Sequence, residues 1–547
     1  MTPPNPAKPL EAFVSFPSPY TQSLLVQALV SVLPCIKVSL APYPEDQPPA
    51  LQWADYDLLS FDLPHSNPTK YLISSYVYRK ALIRKHQLHS TIQAYLAKCQ
   101  HRNIQSILSP EEGGVPKGWN VELQFLDELD ELLLDDLYDL NEGMRRNEEL
   151  PEEERSWYIL KPGFADRAQG IRMFSTEDEL RAIFEEFEPP SSDEEGYEDE
   201  DETREEEQED GQIPQDGGVD DMIDMLAKKA VELGFDGDEE DDRHFGAAAD
   251  DDEEEDGTGV MTSQLRHFVI QEYMPNPVLF DIAQQPNLPS PFLEGYKFHL
   301  RAYVLLTSAY TVHLSRTMLA LFSGSPYTPP RSSKEGEELD LRPHLTNTCL
   351  QTDSFGAPAP PEELVKLFWE LEGLDALSST KDGQYESKGS VTKEWLEAVF
   401  NKSGEVVSEA VKAGAECGSF GLQFMPNAFE IFGVDLILSF PPTNPSSPSE
   451  LPIPKVTLLE YNASPDFHQS GIRLKKDLLE MFKGVIRISI APFFGLNINN
   501  DDDDEEEEEE EIDAKQDQIQ RNENWEVGEE RWGWSLVGKG EVRGSGW

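Results

Sequence analysis

Glu460 and Asn462 stand two residues apart in the run Val456-Thr-Leu-Leu-Glu460-Tyr-Asn462-Ala-Ser-Pro465, and Asp435 lies upstream in Phe429-Glu-Ile-Phe-Gly-Val-Asp435-Leu-Ile-Leu438. Both runs read as short buried strands ending in acids. Strand side chains alternate faces, so Glu460 and Asn462 share one face and Tyr461 takes the other. Two carboxylates and an amide oxygen on neighbouring strands can surround a hard cation, and Mg²⁺ usually takes one or two carboxylates plus nucleotide phosphates. The plainer reading is a set of caps and turn acids, but two acids closing successive apolar strands are costly to bury without a cation or partner. The pattern points to ATP chemistry in a chain with no P-loop.

Three further groups could serve a nucleotide. Lys161 closes the strand Trp157-Tyr-Ile-Leu160 and precedes Pro162-Gly-Phe-Ala-Asp-Arg167-Ala-Gln-Gly170-Ile171. A lysine, a loop and a second cation can hold phosphates with backbone N–H groups and two positive charges, although an ordinary surface loop fits the loop alone better. In Lys297-Phe-His-Leu-Arg-Ala-Tyr303, period 2 puts His299, Arg301 and Tyr303 on one face and Phe298, Leu300 and Ala302 on the core face. Arg301 reads equally as a bidentate contact for phosphate or carboxylate and as an arginine paired to a nearby acid; Arg316 carries the same ambiguity. His344-Leu-Thr346-Asn347 is a polar loop, and its plain reading is a turn.

The elements that must carry these residues alternate between strand and helix patterns. Residues 11–45 hold a strand, a helix (Gln22 to Leu33) and a second strand, with another strand at 55–61. Tyr71 to Lys98 reads as one or two helices with a basic face, Arg79 to Lys85. Helical spacing recurs at 121–140, 176–188, 361–372, 392–413 and 471–489, and residues 297–316 read as a hairpin. Within the acidic tract, Met222 to Val231 has the spacing of a short amphipathic helix.

The chain has 547 residues, 38% hydrophobic, and a formal net charge of -60. That charge argues against nucleic acid or an anionic membrane as a direct partner. It is uneven: Asp193 to Asp256 holds 31 acids and 4 bases, and Asp501 to Glu511 is an unbroken run of 11 acids. Such tracts cannot pack and read as disordered. The four cysteines are scattered with no CxxC, which fits a reducing compartment. Neither a leader nor an apolar run long enough to span a bilayer is evident, so the expected location is cytoplasmic or nuclear.

Taken in order, Tyr158-Ile-Leu-Lys-Pro162, Arg167-Ala-Gln-Gly-Ile171, Val269-Ile-Gln-Glu-Tyr273, Lys297-Phe-His-Leu-Arg301, Ser315-Arg316, His344-Leu-Thr-Asn347, Glu430-Ile-Phe-Gly-Val-Asp435 and Leu459-Glu-Tyr-Asn-Ala-Ser-Pro465 resemble the tubulin–tyrosine ligase family of the ATP-grasp superfamily. The acidic insertion and the His-Leu-Arg variant look most like the fungal probable tubulin–tyrosine ligases, including the kind associated with mRNA processing bodies. The resemblance implies an α+β ATP-grasp fold. Its divisions would be an N-terminal α/β subdomain at 1–110, an ATP-grasp domain at 111–188 and 259–496, a disordered acidic insertion at 189–258, and an acidic, then Trp-rich tail at 497–547.

It also implies roles. Lys161, Arg167, Gly170, Lys297, Thr346 and Asn347 would hold ATP, with Gln271, Glu272, Tyr273 and Met274 as the adenine hinge. Asp435, Glu460 and Asn462 would bind Mg²⁺. Arg301, Arg316 and His299 would serve the chemistry, ligation of an amino acid (tyrosine by family default) to a protein carboxylate such as the α-tubulin C-terminus through an acyl phosphate. The competing expectation is a weakly catalytic ATP-binding scaffold for basic or ribonucleoprotein partners of cytoplasmic processing bodies. Two departures stand out. His299 occupies a position that the family usually fills with aspartate, and Ala168 replaces a loop glycine, which restricts backbone approach.

Overall fold

The computed structural model describes residues 9–43, 48–123, 125–163, 169–187, 267–288, 292–308, 310–332, 339–347, 351, 361–441, 451–496 and 525–540. The expected acidic insertion, the Met222–Val231 helix, the run of 11 acids, Arg167 and Ala168 all lie outside the described residues.

Four short strands, β1 (Glu11–Ser15), β2 (Lys37–Ser39), β3 (Leu51–Ala54) and β4 (Leu72–Ile73), form a parallel sheet in the order β2-β1-β3-β4. The helix Pro19–Val32 follows β1; Ser18 caps it by accepting from the Thr21 N–H, and Pro19 suits its first turn. The strand expected at 55–61 is a 3₁₀ turn, Tyr56–Leu58, because the Asp55 carbonyl accepts from Leu58 N–H; the strand precedes it as β3.

The second sheet is antiparallel and small: β5 (Gly118–Glu122), β6 (Tyr158–Pro162), β7 (Arg172–Phe174) and β8 (His267–Glu272), in the order β5-β8-β6-β7. Helices Glu128–Leu134, Tyr138–Glu148 and Glu177–Glu186 cover one face and give it a separate core around Leu133, Leu140, Phe174 and Phe268. Thr176 and Glu179 form a reciprocal capping box at the start of the third helix.

The third sheet has eleven strands: β9 (Leu279–Phe280), β10 (Tyr296–Thr307), β11 (Thr311–Ser315), β12 (Leu319–Pro326), β13 (Val365–Leu367), β14 (Asp375–Ser379), β15 (Tyr385–Ser390), β16 (Phe429–Ser439), β17 (Lys455–Asn462), β18 (Glu530–Arg531) and β19 (Trp534–Lys539). β10 is the hub. One edge pairs with β12 and then β11, the other with β9 and then β16, and β17 lies beyond β16. Hydrophobic cores cover both faces, one under the helix Lys393–Cys417 and one under Pro19–Val32 and Lys475–Val485. The expected helix at 361–372 is interrupted: Pro361–Leu364 is α-helical, Val365–Leu367 is drawn into the sheet by pairing with β12, and Phe368–Leu371 is a 3₁₀ turn. The Trp-rich part of the expected tail belongs to the fold. β19 pairs with β11, and Trp534 is fully buried with its indole N–H donating to the Met481 carbonyl. The helix Lys85–His101 packs through Leu88, Ile92 and Tyr95 into the large-sheet core rather than onto β1–β4.

Candidate active site

A cleft opens between the small sheet and the large one. β6 contributes Lys161 and Pro162, the end of β8 contributes Gln271 to Met274, β10 contributes Lys297 and His299, and β16 and β17 contribute Asp435, Glu460 and Asn462. The His344–Asn347 loop and the helix-leading Lys85 complete the walls.

Pairing register sets the polar floor. Arg301 stands opposite Asp435, and Asp435 opposite Glu460, so three charged residues form one row across β10, β16 and β17. The β16–β17 register slips between Asp435 and Leu436, leaving Leu459 as the extra residue of a bulge, and Leu459 and Glu460 both line the cleft. Bulges re-aim side chains beside functional sites. Asp435 is therefore a mid-strand residue, not the strand-closing acid expected from the sequence. Arg301 grips it with Nε–Oδ1 at 2.5 Å and Nη2–Oδ2 at 3.2 Å, and Asn462 Nδ2 donates to Asp435 Oδ2 at 3.3 Å. Burial opposes the Arg301 charge, but Asp435 outweighs it and the guanidinium is held more firmly protonated than usual. Gly433 makes room, since a Cβ there would meet Arg301 Cδ and Pro465 Cβ at 3.1 Å.

Glu460 pairs with Lys85 at 3.3 Å. Burial pushes its carboxyl up, yet Lys85, Lys161 and Arg301 together bring it down to about 2. The basic face expected at Arg79–Lys85 is largely turned inward: Arg79 pairs with buried Glu430 at 3.2 Å and lies 3.9 Å over the Tyr56 ring, while Lys85 faces the cleft.

Two lysines enter the cleft from the two sheets, Lys161 on β6 and Lys297 on β10. Lys161 and Lys297 are both buried, and burial lowers both ammonium groups. Lys297 falls to about 7, with Lys161 adding repulsion. Its Nζ donates to the Tyr273 hydroxyl and the His344 carbonyl, each at 2.7 Å. Neither is an anion. Two adjacent buried ammonium groups, one of them hydrogen-bonded only to neutral oxygens, could receive an anionic ligand. His299 Nδ1 lies 2.5 Å from Thr346 Oγ1; its Nε2 is buried without a hydrogen-bond partner among the described residues and lies 3.6 Å from Asp435 Oδ1. Gln271 Oε1 is likewise buried and unmatched. Gly170, at φ +66°, abuts Pro162 where a Cβ would come to 2.8 Å, so only glycine turns the chain back here without strain.

The sequence-derived set is brought together unevenly. Lys161, Gln271, Glu272, Tyr273, Met274, Lys297, His299, Asn347, Asp435, Glu460 and Asn462 line the cleft. Arg301 and Thr346 support them, and Gly170 shapes the loop at its edge. Arg316 is elsewhere. Continuing the β10–β11 register puts it level with Ala302, on the face opposite Arg301, where it makes a bidentate pair with Glu397 (2.6 and 2.9 Å) and stacks on Trp369 and Phe400. Lys85, Ile159, Ile171 and Ile437 line the cleft without having been singled out as site residues. The apolar three follow from strand patterns; Lys85 depends on tertiary packing.

Mg²⁺ fits the donor set. Among the described residues, no group of three or more His, Cys, Asp or Glu side chains converges to hold a metal. The set here is two carboxylates and an amide, which suits a hard cation whose remaining positions are filled by phosphate and water.

Two sheets closing on a cleft lined by buried lysines and by acids are the architecture of an ATP-grasp fold. The crystal structure of the C-terminal domain of K. lactis Pby1, described as an ATP-grasp enzyme interacting with the mRNA decapping enzyme Dcp2, superposes with a TM-score of 0.50 at 26% identity, covering 90% of this chain and 96% of that one. The tubulin–tyrosine ligase family model matches residues 84–498, and the chain belongs to that family. It is 31% identical over 443 residues to a probable tubulin–tyrosine ligase of Schizosaccharomyces pombe, covering 81% of this chain and 83% of the relative. It is 30% identical over 491 residues to the probable tubulin–tyrosine ligase PBY1 of Saccharomyces cerevisiae, covering 88% of this chain and 52% of that protein's length.

Proposed function

We propose that the cleft binds ATP with Mg²⁺ and that the protein ligates an amino acid to a protein carboxylate. The observation that carries this reading is one cleft holding the buried pair Lys161 and Lys297 together with Asp435, Glu460 and Asn462: cations placed for phosphate beside oxygen donors placed for a metal. ATP–Mg²⁺ satisfies both. Lys161 and Lys297 would hold phosphate oxygens, the strand end Gln271–Met274 would take the adenine edge, and Asp435, Glu460 and Asn462 would hold the metal, which supplies charge neutralisation on the phosphates.

The chemistry asks little else of the chain. A substrate carboxylate oxygen attacks the γ-phosphorus, the bond to the β–γ bridging oxygen breaks, and ADP leaves. An amine then attacks the acyl phosphate carbon, expels inorganic phosphate and gives an amide. The protein's part is alignment and charge stabilisation. The unmatched His299 Nε2 beside Asp435 is placed to meet an acceptor carboxylate or a phosphate oxygen.

Tyrosine and the α-tubulin C-terminus are the family's default substrates. The decapping-enzyme interaction of the K. lactis relative favours a second reading, an ATP-binding protein of cytoplasmic processing bodies. The test is a screen of labelled amino acids with ATP and Mg²⁺ in cell extract, with identification of the labelled acceptor. A labelled band that requires ATP supports the ligase. ATP binding without labelling of any acceptor by any amino acid supports the second reading.

A further inference from the structure

The helices covering the small sheet carry a surface unrelated to the cleft. From Phe125 to Asp139 the sequence holds seven acids and no base. The helix Glu128–Leu134 turns Leu129 and Leu133 into the core beneath it, joined by Leu137 and Leu140. Helical spacing then places Asp127, Asp130, Glu131 and Leu134 together on the outer face. Leu134 is 74% exposed, Phe125 62% and Tyr138 55%. A seven-residue helix is about 10 Å long, with Phe125 just before its start and Leu134 and Tyr138 flanking the turn at its end. The three exposed apolar side chains are spaced along one acidic ridge of the surface. Arg181 reaches Asp130 at 2.5 Å and Lys117 reaches Asp139 at 3.8 Å from the rim. Exposed large apolar side chains rimmed by charged residues suit an interaction surface.

We infer that this ridge docks a basic amphipathic segment of another protein. Apolar or aromatic side chains of that segment seat on Phe125, Leu134 and Tyr138, and its Lys and Arg residues pair with the surrounding acids. Charge selects the occupant. A second copy of a chain with net charge -60 is repelled, and an acidic tail is repelled by the same carboxylates. The ridge shares no residue with the cleft lining, so docking there does not depend on the ligase reading.

The experiment is fluorescence anisotropy at physiological salt on the full chain, with a labelled 18-residue Lys/Leu peptide of helical periodicity as probe. A scrambled peptide of the same composition controls for plain attraction to the acidic tracts. The triple variant Phe125→Ala, Leu134→Ala, Tyr138→Ala leaves the charge unchanged and alters only exposed side chains. The ordered peptide should bind wild type at least tenfold more tightly than the scrambled one, and the triple variant should erase that difference. Equal binding of both peptides to wild type, or an undiminished preference in the triple variant, overturns the proposal. A change in mass by light scattering between wild type and the triple variant also overturns it, because the ridge would then be a self-association surface.

Discussion

Asp435 and Glu460 face each other across β16 and β17, yet each is held by a cation from a different part of the chain, Arg301 on β10 and Lys85 at the start of a helix. The fold surrounds both acids with cations that a metal–nucleotide complex would have to share, and Lys85, Lys161 and Arg301 keep Glu460 charged. The Arg301–Asp435 pair is nearly buried, and removing one partner of such a pair leaves an uncompensated charge costing about 3–5 kcal/mol. Asp435→Asn should lower unfolding stability on that scale. Glu397→Gln, which breaks the more exposed Arg316 pair, should cost no more than about 1 kcal/mol. Urea titration of both variants gives the comparison; equal losses would contradict the placement of Arg301 and Arg316 on opposite faces.

If the cleft binds ATP as proposed, Lys297 should give that affinity a pH dependence. Its folded pKa of about 7 lies below the ordinary lysine value, so between about 7 and 10 the unfolded chain binds more protons and the ligand-free protein gains stability as pH rises. A bound phosphate favours the charged form and raises the pKa. ATP binding above pH 7 should therefore take up a proton, and affinity should fall by up to tenfold per pH unit between 7 and 9. Calorimetry in buffers of different ionisation enthalpy measures the uptake. Lys297→Met should abolish that pH dependence while weakening binding most below pH 7.

Much of this was legible in the sequence, because strand alternation and acids inside apolar runs are local signals. His299 and Arg301 could be placed on one strand face, and Glu460 and Asn462 on another, from spacing alone, whereas Asp435 reads as a strand-closing acid and is mid-strand. The misses are non-local. Arg316 shares the alternation of Arg301 but faces the other way because the hairpin register sets it level with Ala302. Lys85 looked like part of an external basic face; packing of its helix against the large sheet brings it to Glu460. Nor could the sequence show that residues following an 11-acid run return to the sheet, since β19 depends on an edge offered by β11.

That return makes the C-terminal strands structural. A chain ending at residue 524 lacks Trp534 and has a hole beside Met481 and Gly484 where the indole packs. Losing a buried tryptophan costs about 3–5 kcal/mol. Both truncation at 524 and Trp534→Ala should lower the thermal midpoint by several degrees. An unchanged midpoint would show that β18 and β19 are dispensable.

His299→Asp tests what the histidine adds. The aspartate would bring a second carboxylate close to Asp435 and withdraw the bond to Thr346. Acceptor labelling should change, including labelling of an α-tubulin tail peptide, with ATP affinity held within about threefold. Unchanged labelling would make His299 a bystander, and a large loss of ATP affinity would assign it to the phosphate site.

The measurement that bears most directly on the central claim is calorimetric titration of ATP into wild type and Glu460→Gln, with Mg²⁺ and with EDTA, paired with turnover. Wild type should bind ATP far more tightly with Mg²⁺ than with EDTA. Glu460→Gln should remain folded, lose most of that difference and turn over about 100-fold more slowly, the scale of removing one charge-stabilising group. Metal-independent ATP binding by wild type, or unchanged turnover in Glu460→Gln, would contradict the account.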